Sequence, residues 1–410
     1  MTEEVEEDDG YDRSMSAEAS KLLCSPPSSV QRPIFPSLQQ IGPSAPLRLS
    51  SPEDMSALSM FLGSELLTSI SIEISDFQDY KAAIANTFYP ILYTLETRHL
   101  KRLHLYLPSR DVADEKLRFI SEMTNLEDFA YGGLLSWDLM AIIGFLPKLK
   151  RLYVTGLSSG PSGESHLTGG WLPQLEELRL STMGALEAKI FRCCPPRLRK
   201  VNISDTRTTQ DLHHLITVAV NQEATLEELN VGVLNATIQY ADLRGLSQYQ
   251  NLRTLEIFGF NCLVLDDEQL REIIKCLPKL QYFALDQYKP PTSSSDTQLS
   301  LLSLRHIVQY CDSIREITMR LRATEIPDLP VRNFPQNSPT CQETLVLSVG
   351  VFGVSDPEGV AAWLVQCFAR FELVEMYHPY GADNTVLTVF RTLREEWERK
   401  SVVKSTEYPA

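Results

Sequence analysis

The stretch Asn251–Leu285 reads NLRTLEIFGFNCLVLDDEQLREIIKCLPKLQYFAL, and its two halves follow different periods. Leu252, Leu255 and Ile257 follow L-x-x-L-x-L, which sets Leu255 and Ile257 on one face of a strand and Thr254, Glu256 and Phe258 on the other. Behind the acidic start Asp266, Asp267 and Glu268, the residues Leu270, Ile273, Ile274 and Leu277 recur at helical spacing. Leu280, Phe283 and Leu285 then restart the strand pattern. A strand and a helix that each expose an apolar face cannot be buried alone, so units of this kind must stack.

Working outward, the strand pattern recurs twelve times, with first apolar positions at Leu67, Leu100, Leu126, Leu149, Leu175, Leu198, Leu226, Leu252, Leu280, Ile314, Gln342 and Phe371. The register at Gln342 is the weakest, because only Leu345 and Leu347 fit it. LKRLHL (Leu100–Leu105), LKRLYV (Leu149–Val154), LEELRL (Leu175–Leu180) and LEELNV (Leu226–Val231) repeat one sentence with different polar words. A mean interval of about 28 residues lies at the long end of the leucine-rich-repeat range. The fold class expected is therefore α/β: a leucine-rich-repeat solenoid, a curved horseshoe of about twelve irregular repeats, with a parallel sheet on the concave side and helices on the convex side. Stretches such as 111–123, 209–220 and 298–310 have the spacing for those helices.

Three segments flank or interrupt the repeats. Residues 1–50 read as a disordered tail, acidic and then rich in Pro and Ser, either a regulatory element or a solubilising terminus. Order is expected from Ser51-Pro52-Glu53-Asp54, an N-cap followed by Pro at the first helical position, and the solenoid from 51 to 384. Residues 385–410 read as a capping helix and tail, with Val386, Val389, Phe390, Leu393 and Trp397 on one face. GLSSGPSGESHLTGG at 156–170 and the Pro-rich stretches 287–296 and 326–340 are expected as loop excursions.

The net charge of -15 excludes a phosphate-binding surface built on bulk charge, since nucleic acid calls for a basic field. Eight acids and one base in the first twenty residues supply -7 of it. Apolar runs such as Leu139–Leu146 are too short to span a bilayer, and the acidic N-terminus has no signal-peptide pattern. The expectation is an intracellular protein, cytoplasmic or nuclear, with no nucleic-acid or membrane partner. The eight cysteines form no C-x-x-C pair, and Cys194, Cys276 and Cys311 share one place in the repeat, where a small buried residue closes the helix. No P-loop, nucleophile elbow or metal-ligand spacing is present, so neither a cofactor nor a metal is expected and an enzyme is not indicated.

On this frame the residues two, four and six places after each first leucine face the concave side. The first half supplies Arg102, His104, Tyr106, Arg151, Tyr153, Glu177 and Arg179, and is biased basic. The second supplies Glu228, Asn230, Thr254, Glu256, Phe258 and Tyr282, and is biased acidic. The partner-binding set drawn from these is Arg102, Tyr106, Arg151, Tyr153 and Arg179 for an acidic part of a polypeptide, with Glu228, Thr254, Glu256, Phe258 and Tyr282 beside it. The alternative is an ordinary solvated strand face.

The run D-D-E-x-L-R-x-I-I-x-C-L-P-x-L from Asp266 to Leu280 resembles the cysteine-containing repeats of F-box substrate receptors. Residues 51–384 as a whole resemble the leucine-rich-repeat region of fungal F-box proteins. The resemblance implies protein–protein recognition, with a substrate-receptor role in SCF-type ubiquitin ligases and a Skp1-type adaptor as partner by analogy. Two departures stand against it. The asparagine expected eight residues after the first leucine is replaced by Leu157, Met183, Thr206, Leu234 and Phe260, and no F-box precedes the repeats. A free-standing scaffold or inhibitor, and an enzyme with a concave-face cleft, are the alternative functions.

Overall fold

The computed structural model describes residues 37–395, apart from 63, 65, 78–79, 94–98, 108–113, 158–170, 184–189, 191–196, 207, 219–224, 288–297, 329–343, 353, 369–372, 378–387, 390 and 393–394. Residues 1–36, most of the three expected loop excursions and most of the expected capping helix lie outside the described residues. Two compact units divide the chain, residues 1–180 with 193–195, and residues 181–192 with 196–410.

In the first unit the strands are β1 (Gln40–Ile41), β2 (Leu47–Leu49), β3 (Ser69–Ile74), β4 (Arg102–Tyr106), β5 (Asp128–Leu135), β6 (Arg151–Leu157) and β7 (Glu177–Leu180). β3 to β7 pair in sequence order, all parallel. The second unit carries β8 (Lys200–Thr206), β9 (Glu228–Val233), β10 (Thr237–Gln239), β11 (Thr254–Phe260), β12 (Cys262–Val264), β13 (Tyr282–Gln287), β14 (Glu316–Arg322), β15 (Thr344–Phe352) and β16 (Leu373–Tyr377). There β8, β9, β11, β13, β14, β15 and β16 form the parallel ladder, and β10 pairs with β12 in a small separate sheet. Every one of the twelve strands read from the sequence begins two residues after its first apolar position, including β15 and β16 behind Gln342 and Phe371. Strand, helix or turn, and next parallel strand in this order make the fold a leucine-rich-repeat solenoid.

Burial explains the register. From Leu67 to Gln342, the residues three and five places after the first apolar position point inward and are at most 3% exposed, among them Leu103 and Leu105, Phe129 and Tyr131, and Leu345 and Leu347. A one-residue slip would turn that whole set to solvent. The backbone adds a second lock at the start of most strands, where one carbonyl accepts two amides from the next repeat. Lys101 O accepts from Glu127 N (2.8 Å) and Asp128 N (3.0 Å), and Glu127 O from Lys150 N (2.9 Å) and Arg151 N (3.0 Å). In the second unit Glu227 O takes Arg253 N (2.7 Å) and Thr254 N (3.0 Å) in the same way.

Charge alternates from repeat to repeat at these positions. Lys101-Arg102, Glu127-Asp128, Lys150-Arg151 and Glu176-Glu177 lie on successive strands of the first unit. Lys150 pairs with Glu127 at 3.0 Å, and in the second unit Arg199 grips both oxygens of Glu227. Glu127 and Glu227 are held below the ordinary carboxylate range by these partners, Lys150 and Arg199. Like charges on adjacent strands would repel, so the alternation disfavours wrong pairings. It ties repeats together where an asparagine ladder is missing, at about 0–1 kcal/mol for each exposed pair.

The helices sit where the apolar spacing placed them. Asp267–Ile274 starts on Asp266, whose carboxylate accepts from Gln269 N at 2.8 Å while the Gln269 side chain returns to Asp266 N at 3.2 Å. Pro52–Leu62 starts on Ser51, whose hydroxyl accepts from Asp54 N. The stretch 111–123 forms a 3-10 helix, Asp114–Glu122, instead of an α-helix. Tyr80–Ala83, a π turn at Ile84–Phe88 and Tyr89–Tyr93 fill the 33-residue interval between Leu67 and Leu100.

Two expectations need correction. Within the stretch read as a tail, β1 and β2 pair in parallel with β3 and bury Ile41 and Leu49, so the ordered repeats begin before Ser51. These strands are only two and three residues long, too short for an apolar period to register. Cys311 is fully buried at the end of its helix, as expected of that repeat position, but Cys276 is partly exposed, its thiol near Glu272 O at 3.5 Å. Cys194 lies outside the described residues.

Candidate functional site

Asp128 organises the open sheet face of the first unit. It starts β5, two places after Leu126, and the register sets it between Arg102 of β4 and Arg151 of β6. Its Oδ1 meets His104 Nε2 at 3.0 Å, while Oδ2 accepts from Arg151 Nε (3.0 Å), with a terminal nitrogen of Arg151 at 2.9 Å and Arg102 Nε at 3.4 Å in ion pairs. Burial by itself pushes the Asp128 carboxyl up. The His104 hydrogen bond, then Arg151, outweigh it and hold the group below the usual carboxylate range.

The next level of the face is aromatic over a small floor. β5 offers only Ala130 and Gly132 there, so Tyr106 of β4 and Tyr153 of β6 lean toward each other across it, ring centroids 6.3 Å apart and tilted by 46°. A Cβ on Gly132 would stand 2.9 Å from the Tyr106 Cα and 3.2 Å from its ring, so glycine is what lets the tyrosine lie over β5. Tyr106 is titrated upward first by burial, then by Tyr153 and Asp128, against the pull of Arg179. Glu177 and Arg179 of β7 close the side, joined at 2.6 Å. Together with His104, Arg151 and Leu152 these residues line a hollow of about 410 Å³.

The hydrogen-bonding capacity left open in this hollow is lopsided. Both Asp128 oxygens and one Glu177 oxygen are already occupied. Both terminal nitrogens of Arg179, one of Arg151 and the Tyr106 hydroxyl have no partner among the described residues. Donors on a ring-lined floor suit an acceptor, such as a carboxylate or phosphate carried on a polypeptide.

Five of the ten residues named from the sequence, Arg102, Tyr106, Arg151, Tyr153 and Arg179, thus come together around one point. The basic bias read for this half is smaller than its arginines suggest, because Asp128 and Glu177 neutralise much of it. Asp128 itself was passed over, although the same spacing rule counted from Leu126 reads it directly. The other five lie on the second unit. Glu228, Thr254 and Tyr282 share one row across β9, β11 and β13, and Glu256 and Phe258 occupy the next positions along β11. Glu228 is paired with Lys200 at 2.5 Å, and Phe258 packs over Gly232, where an added Cβ would meet its ring at 2.9 Å. Phe258 is therefore partly a floor covering of its own strand pair.

Among the described residues no group of His, Cys, Asp or Glu side chains could hold a metal ion, and no helix is long and apolar enough to cross a membrane. No protein-family model matches the chain, and no curated protein matches it. Among solved structures it is similar to a plant peptide hormone receptor, RGFR1, in complex with RGF2, at 11% identity and a TM-score of 0.36 over 83% of this chain. The match spans 44% of that receptor chain, less than half its length.

Proposed function

We propose that the protein is a non-catalytic recognition scaffold whose first unit binds an acidic segment of a polypeptide on the open sheet face. One observation carries the reading. Among the described residues, the hollow over Ala130 and Gly132 has both Asp128 oxygens and one Glu177 oxygen held in internal pairs and keeps arginine and phenol donors for a ligand. Tyr106 and Tyr153 give the ligand an apolar floor at low cost in side-chain entropy, and the arginines supply orientation. The row Glu228, Thr254 and Tyr282, with Glu256 and Phe258, is a separate candidate surface on the second unit, suited to a less acidic or basic segment.

The finer reading, a substrate receptor acting with a Skp1-type adaptor in the cytoplasm or nucleus, rests on the repeat style of Asp266–Leu280. The free thiols Cys262, Cys276, Cys311 and Cys367 accord with a reducing compartment. Co-purification of adaptor and cullin with the chain supports that reading, and their absence favours a free-standing scaffold or inhibitor.

Affinity purification of the full chain beside an Arg151→Glu/Tyr153→Ala variant tests the recognition site. Loss of a partner that the unaltered chain captures is the expected result. An unchanged partner set contradicts it.

A further inference from the structure

The donor-rich hollow has a candidate occupant in its own chain. Residues 3–9, Glu-Glu-Val-Glu-Glu-Asp-Asp, carry six acids and no base, and they lie outside the described residues. We infer that this acidic segment docks onto Arg151, Arg179 and Tyr106 and competes with the acidic ligand, so that the protein restrains its own recognition site. The inference rests on the recognition reading above and goes beyond it.

Among the described residues the hollow presents the open nitrogens of Arg179 and Arg151 and the Tyr106 hydroxyl, and residues 1–20 carry a net -7 of the chain's -15. Two or three carboxylates of the segment can meet these donors while the rest contribute through the longer-ranged field. The chain enters the first unit at β1, at the edge of the sheet, where Gln39 O accepts from Thr68 N and Gln40 and Ile41 pair with Ser69 and Ile70. From β1 through β3, β4 and β5 to β6 is four strand spacings, about 19 Å. Residues 10–39 separate the acidic run from β1, and a chain of that length can reach up to about 100 Å, several times that distance. A tethered segment of this length acts at an effective concentration on the order of 1 mM. Even a weak intrinsic affinity, on the order of 0.1 mM, would then raise the apparent Kd of a free acidic ligand about tenfold.

The test uses the full-length chain and two fluorescein-labelled probes, a peptide of residues 1–14 and hexaglutamate, read by anisotropy. The protein forms are the unaltered chain, a tail-neutralised chain (Glu3→Gln, Glu4→Gln, Glu6→Gln, Glu7→Gln, Asp8→Asn, Asp9→Asn), and the neutralised chain with Arg179→Glu alone or with Arg151→Glu. Arg179→Glu alone changes a side chain that is 57% exposed and keeps the Asp128 cluster whole, so it guards against a folding artefact. The expected result is about tenfold tighter binding of both probes to the neutralised chain than to the unaltered one, lost with Arg179→Glu. Equal affinity for the two chains overturns self-docking while leaving recognition standing, and so does binding of hexaglutamate without the 1–14 peptide. Failure of both probes to bind the neutralised chain overturns both readings. Binding that survives Arg179→Glu and the double reversal places the acidic segment elsewhere and overturns the assignment. A gain on neutralisation that grows with protein concentration assigns the occupant to a second copy and overturns the intramolecular form.

Discussion

Replacing Asp128 by Asn tests the hub of the first unit, because it removes one charge and keeps the shape. The aspartate holds His104 at 3.0 Å, Arg151 at 2.9 and 3.0 Å, and Arg102 at 3.4 Å, and its own side chain is 14% exposed. A hydrogen bond to a charged group contributes about 1.5–3 kcal/mol when shielded, and an exposed ion pair only about 0–1 kcal/mol. Arg102 and Arg151 are 39% and 47% exposed and belong near the lower figure. His104 is less exposed, and the Asn carbonyl keeps part of one contact. The expected loss is about 1–2 kcal/mol, a urea midpoint lower by roughly 0.5–1 M for a slope near 2 kcal/mol/M. Buried Trp137 and Trp171 report on this unit once Trp363 and Trp397 are replaced by Phe. Since the folded-state pKa of Asp128 is depressed, its contribution is present above the unfolded value near 3.9 and is lost as pH falls through the folded value. The difference between the two proteins should therefore be full at pH 7 and shrink on acidification toward pH 3. Equal stability at pH 7, or a difference that does not change with pH, would refute the hub.

The remaining predictions concern packing and thiols. Gly144→Ala should cost about 2 kcal/mol or more, because the added Cβ would fall on the fully buried Trp171 indole, and equal urea midpoints for the two proteins would contradict that contact. Tyr249→Phe deletes the buried hydrogen bond from Tyr249 to Ile216 O (2.6 Å) and should lower stability by about 1–2 kcal/mol in urea titration. Asp266→Ala removes the helix cap at Gln269 N for about 1 kcal/mol, measured the same way. Cys367, whose thiol burial pushes up to about 12, and the buried Cys311 should resist iodoacetamide at pH 8 in the folded protein, while the partly exposed Cys262 and Cys276 react, as site-resolved mass spectrometry would show.

How much of this was legible depends on whether a feature repeats. The inward positions recur on every strand, so one spacing rule located all twelve strands, even where Gln342 breaks the apolar pattern. β1 and β2 were missed because an element of two or three residues shows no period, and their place is set by β3 beside them. The site was half legible. Spacing put Arg102, Tyr106, Arg151, Tyr153 and Arg179 on one face, but it says nothing of which charges cancel. That answer came from the register, which sets Asp128 between two arginines, and from the small residues Ala130 and Gly132. Absences of bulk such as these carry no signal in a search for functional side chains. The packing of Phe258 over Gly232 is of the same kind, a tertiary fact that the strand pattern leaves open.

The central claim, that the first unit's open face selects acidic polypeptide, is met most directly by comparing labelled hexaglutamate with hexaglutamine on the tail-neutralised chain across a salt series. The account predicts binding of hexaglutamate that weakens with salt, no binding of hexaglutamine, and loss of the former with Arg151→Glu/Arg179→Glu. Equal affinity for the two peptides, or hexaglutamate binding untouched by the double reversal, would contradict it.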